Sequence, residues 1–113
     1  MLRHFLLMIT ASLILFPALG HAVTYVCAFE CYGTKGKLCQ VTFKSTLDGY
    51  KDDYHEYFTE ENNDFISMSS PYVGKNGAAV FSNIIHKNDL SFVRSTTEVG
   101  NTGYREGSCT KIN

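Results

Sequence analysis

The sequence predicts a small, disulfide-stapled antiparallel β-sheet with at most one helix in front of it. Three observations carry that expectation. Four cysteines lie behind an apolar leader, short runs alternate apolar with polar residues, and turn-forming residues punctuate those runs. An even cysteine count in an exported chain points to two disulfides rather than to thiolate metal ligands.

The leader comes first. Arg3 and His4 open it, Phe5 to Leu19 is an apolar run broken only by Thr10, Ser12 and Pro17, and Gly20-His21-Ala22 is a small-x-small cleavage site. The run is short of the roughly 20 residues that a membrane span needs. Residues 1–22 therefore read as a signal peptide and 23–113 as one domain. No cysteine stands at the cleavage point, and the tail from Tyr104 to Asn113 is polar. A soluble, secreted protein with no membrane partner is expected. Without Arg3, nine Lys+Arg face eleven Asp+Glu, a net charge of −2.

A strand or tight hairpin is expected from Thr24 to Tyr32, ending at Gly33-Thr34-Lys35-Gly36. Lys37 to Leu47 is ambiguous. Cys39, Val41 and Phe43 alternate as in a strand, but Leu38, Val41 and Thr42 share a helical face and Asp48-Gly49 is a fair helix stop. An acidic, tyrosine-rich stretch follows, with Asp48, Asp52, Asp53, Glu56, Glu60, Glu61 and Asp64 against Lys51 alone. Further strands are expected at Tyr54–Thr59, Phe65–Ser69, Ala79–Ile85 and Leu90–Thr96, with a short last one at Tyr104–Thr110. Asn62-Asn63, Gly74-Lys75-Asn76-Gly77, Asn88-Asp89 and Gly100-Asn101 separate them.

The cysteines constrain the ends. Cys27 and Cys31 lie on one face of an extended segment, about 13 Å apart at roughly 3.3 Å per residue, too far to bond. Two connectivities remain. Cys27–Cys109 with Cys31–Cys39 is preferred, because the short link is local and the long one closes the domain. Loop entropy gives the long bridge about 4 kcal/mol and the short one about 2–3 kcal/mol.

Tyr25-Val26-Cys27, Cys31-Tyr32, Tyr54-His55-x-Tyr57, the run Phe65-Ile66-Ser67-Met68-Ser69-Ser70-Pro71-Tyr72 and Cys109-Thr110 carry a resemblance. In this order they resemble fungal guanyl-specific ribonucleases, and the RNase-like secreted effectors of powdery mildew fungi, which carry a Tyr/Phe/Trp-x-Cys motif just after the leader. The resemblance implies an α+β fold in which Lys37–Leu47 is one helix packed on a small curved antiparallel sheet. Cys27–Cys109 matches that family's long disulfide, whereas Cys39 departs from its pattern.

Such ribonucleases use a His, a Glu, an Arg and a second His to attack with the 2′-hydroxyl, protonate the leaving oxygen and hold the phosphate. His55 falls where the first His belongs. Gly74 stands at the Glu position, Ala78, Ala79 and Val80 where the Arg belongs, and Leu90–Glu98 contains no His. The chain is expected to be a non-catalytic relative. Tyr54, His55, Tyr57 and Tyr72 are then the candidate residual ligand or RNA surface, within a wider aromatic set of Tyr50 and Phe58.

His55 and His86 with the cysteines do not make a zinc site in an exported, oxidised chain without CxxC, and the acidic stretch lacks the calcium-loop order. No metal and no cofactor are expected. Three function classes follow. The resemblance implies an inactive secreted effector that engages a host protein, immune receptors included, or more weakly RNA or a ribosome, after translocation into the plant cell. It would act as a monomer. An active secreted ribonuclease is the second class. The third is an extracytoplasmic β-module, such as an inhibitor presenting its acidic face to a cationic enzyme.

Overall fold

A computed structural model describes residues 22–112; residues 1–21, all but the last of the proposed leader 1–22, lie outside the described residues. Eight antiparallel strands succeed one another in chain order and close into a barrel. They are β1 (Thr24–Glu30), β2 (Leu38–Ser45), β3 (Tyr50–Lys51), β4 (Glu56–Glu61), β5 (Phe65–Gly74), β6 (Gly77–His86), β7 (Ser91–Glu98) and β8 (Asn101–Ile112).

The helix of the α+β expectation is absent among the described residues: Lys37–Leu47 contributes β2 instead. The reason is visible in which pattern is buried. Val41 and Phe43 point inward with half-buried Cys39, while Leu38, which the helical face would have buried, is exposed. Cys39, Val41 and Phe43 lie opposite Phe29, Cys27 and Tyr25 of β1, so period-two alternation on both strands fills one core. The ribonuclease-like architecture is overturned with the helix, since the sheet curls onto itself and leaves no helix-covered face.

Closure comes from the first and last strands. Thr24 to Phe29 pair with Ile112 to Gly107, so the chain ends meet at one seam. Cys27 lies directly opposite Cys109 there, with Cα atoms 3.9 Å apart, and the two are bonded. The second disulfide, Cys31–Cys39, spans the β1–β2 turn. Gly107 on the same seam has no room for a side chain: a Cβ there would collide with the Ala28 carbonyl oxygen and stand 3.1 Å from Phe29 Cα.

Alternate inward residues fill the barrel: Tyr25, Phe29, Phe43, Tyr57, Ile66, Met68, Ile85 and Phe92 are its bulk. Phe43 meets Tyr57 and Phe92 at ring-centroid distances of 5.8 Å each, and Phe29 meets Phe92 at 6.0 Å. The wall is uneven. β5 to β8 are long and pair with one another over most of their length, whereas β3 pairs through two residues on each side. Beyond Lys44, towards the start of β2, no strand pairs with β2 on the β3 side.

Candidate functional site

The loops 31–37 and 52–55 and the hairpins 74–77 and 98–101 lie at one end of the barrel, and polar side chains gather there. Asp52 organises the 52–55 loop. Its Oδ1 accepts the N–H groups of Tyr54 at 2.8 Å and His55 at 2.7 Å, and its Oδ2 accepts the Tyr57 hydroxyl. Desolvation raises the Asp52 pKa, but the bonds from Tyr57, Tyr54 and His55 together outweigh it and leave it below its ordinary value. Burial, and then the bond to Asp52, push the Tyr57 hydroxyl well above the usual phenol range. This pair is Asp52 ionised and Tyr57 neutral.

The four proposed surface residues divide. His55 and Tyr72 both lie against Phe81, with ring-centroid distances of 5.0 and 4.6 Å, and Tyr57 lies 5.9 Å from His55. Tyr57 is buried, so it supports this cluster from inside and offers no face to a ligand. Tyr54 is 89% exposed at the loop tip. His55 Nδ1 is 3.5 Å from Asp52 Oδ1, an ion-pair distance without hydrogen-bond geometry. Among the described residues no second histidine faces it: His86 sits at the far end of β6, opposite Phe65. Gly74 and Ala79, at the expected catalytic positions, contribute no acid, base or cation.

Two features stand out whose geometry the sequence did not show. The first is a groove of about 560 Å³ on the outer face of β4 and β5, lined by Asp48, Glu56, Phe58, Glu60, Ser67 and Ser69 among others. Glu56, Phe58 and Glu60 alternate with inward Tyr57, so they stand in a row on the outside, and Phe58 is 73% exposed. Only the alternation around Phe58 could have placed it outward. The second is Arg94, which enters the barrel from β7 and packs over Phe29 and Phe81, 5.6 and 5.1 Å from their centroids. It lines an opening of about 290 Å³ between Gln40–Thr42 and Asp52–Tyr54, where the wall lacks strand pairing.

Among the described residues no cluster of His, Cys, Asp or Glu could hold a metal ion. The two disulfides are consistent with an extracellular setting. Compared with known proteins, the chain matches no family model, no curated protein and no solved structure.

Proposed function

We propose that the domain is an exported binding module without catalysis of its own, and that it docks a basic protein in the acidic groove on β4–β5. The carrying observation is the row Glu56, Phe58, Glu60 with Asp48 beside it: an exposed aromatic ring flanked by carboxylates. A buried aromatic anchor supplies contact energy, while flanking charges of one sign select a partner of the other and speed its approach. Covering Phe58 is worth about 1.5–3 kcal/mol. The same charges repel the phosphates that would dominate binding to RNA.

The reading keeps the binding component of the effector expectation and loses its ribonuclease scaffold. An inhibitor that presents an acidic face to a cationic enzyme is the form that the groove favours, since the β4–β5 pairing already aligns Phe58 and Glu60 in one row.

The test is a biosensor panel of basic and acidic extracellular proteins over the oxidised domain, at low and high salt. Basic proteins are expected to bind, with affinity falling as salt rises. Phe58→Ser, and separately Glu56→Lys with Glu60→Lys, should each weaken binding at least about tenfold, or 1.4 kcal/mol. Equal binding of acidic proteins, or variants that bind like the parent, would sink the reading.

A further inference from the structure

For most of its length β2 is bonded on one side only. It pairs with β1 from Leu38 to Lys44, but β3 meets it only at Lys44 and Ser45. The Ser45 N–H donates to the Val23 carbonyl on the β1 side, and the Thr46 N–H donates to the Gly49 carbonyl on the other. Backbone groups alternate between the two sides of an antiparallel strand, so the odd residues of β2 serve β1. Gln40 and Thr42, of the opposite parity, turn their N–H and C=O groups away from it. Among the described residues no backbone group bonds them there.

Nothing guards this edge. Bare edges are ordinarily blunted by a charge, a proline, a bulge or a covering loop. Gln40 and Thr42 are neutral, β2 has no proline, and its register with β1 runs unbroken. The opening of about 290 Å³ separates Gln40–Thr42 from Asp52–Tyr54 of the 52–55 loop. Two of the charged groups around it are already engaged: Asp52 by Tyr57, Tyr54 and His55, and Arg94 by the rings of Phe29 and Phe81. Asp53 is exposed and, among the described residues, makes no ion pair; Tyr54 beside it is 89% exposed. The uncommitted charge at the opening is therefore a carboxylate.

We propose that the open edge of β2 takes up an extended, basic segment of a partner protein as an added strand. Its main chain bonds to Gln40 and Thr42, and a lysine or arginine of the segment sits against Asp53 and Tyr54. An extended backbone repeats its donors and acceptors every two residues, roughly 7 Å, which is the spacing that Gln40 and Thr42 present. Each of the two can exchange a pair of N–H···O bonds with the incoming strand. Asp53 attracts the cation, and Tyr54 offers it a ring face. Since Asp52–Tyr54 form the other wall of the opening, a single strand fits where a second folded barrel would meet the loop. The opening shares no lining residue with the acidic groove, so either site can fail without the other.

The probe is a short, end-blocked peptide that alternates valine with lysine, titrated into the oxidised domain at low and high salt and followed by amide NMR. Saturable binding is expected, with shifts and slowed exchange at the Gln40 and Thr42 N–H groups and with affinity falling as salt rises. The same peptide N-methylated at every amide keeps its charges and loses its donors, and should bind at least about tenfold more weakly. Thr42→Pro removes one outward donor and should weaken the parent peptide by about tenfold, while Asp53→Asn should reduce the salt dependence. A methylated peptide that binds as well as the parent peptide, or the absence of saturable binding, overturns the proposal. Shifts confined to Phe58 and Glu60 would put the peptide in the acidic groove and overturn it too. Tighter binding of a valine–glutamate peptide overturns the basic assignment. Concentration-dependent protection of Gln40 and Thr42 without peptide would make a second copy the occupant and overturn the assigned partner.

Discussion

At the scale of single residues, Asp52 has the clearest energetic role. It satisfies two loop N–H groups and the buried Tyr57 hydroxyl at once. Removing it by Asp52→Ala strands that hydroxyl, and a loss of about 1–3 kcal/mol in denaturant unfolding is expected. The pH dependence follows from the direction of its shift. A carboxyl whose folded pKa lies below its ordinary value of 3.8 stabilises the fold above that value. The contribution disappears as pH falls through the lower, folded pKa. Melts taken from neutral pH down to about pH 2 should show this acid-side loss, and Asp52→Asn should flatten it. A variant as acid-sensitive as the parent would place the titration elsewhere. The sequence marked Asp52 only as one acid among seven. What distinguishes it, a tyrosine five positions on that folds back to it, depends on the 52–55 turn.

At the scale of elements, most strands were legible and their closure was not. Alternation located β1 and β4 to β8 within a few residues, because one face of each is buried and the other solvated. It left β2 open, since Lys37–Leu47 satisfies both periods until a partner strand decides, and the resemblance then pointed to a helix. It also missed β3, whose two residues are too few to display any period. The aromatic cluster near His55 was partly readable, since His55 and Tyr57 are close in sequence, whereas Phe81, which joins His55 to Tyr72, comes from a distant strand. The open edge of β2 was not readable, because only the register of β2 with β1 and β3 exposes it. Gly107 is the element-scale test of closure. Gly107→Ala drives a methyl into the Ala28 carbonyl across the β1–β8 seam. Overpacking of this kind should cost about 1–3 kcal/mol, read as a lowered melting temperature, whereas Gly103→Ala on the same strand meets only an ordinary contact, Tyr32 at 3.6 Å.

At the scale of the whole molecule, the barrel has a strong seam and a weak one. The long disulfide closes a loop of 82 residues between directly paired strands, and its entropic worth is about 4 kcal/mol. Replacing both partners, Cys27→Ala with Cys109→Ala, is therefore expected to lower unfolding free energy by several kcal/mol, while disrupting Cys31–Cys39, eight residues apart, costs less. Equal melting of the two double variants would refute the ranking. Backbone exchange should be fastest along Gln40–Thr42 and β3, where pairing runs out, and slowest through β5 to β8.

The position of the Cys27–Cys109 bond also decides how the domain carries load. It lies three residues inside Thr24 on one strand and three inside Ile112 on the other. Tension applied to the two chain ends peels only those short overhangs, after which it passes through the sulfur–sulfur bond. Everything between Ala28 and Ser108 is mechanically bypassed. A domain tethered by both termini keeps its binding faces undistorted under pull, and a reductant converts the same tether into one that unravels.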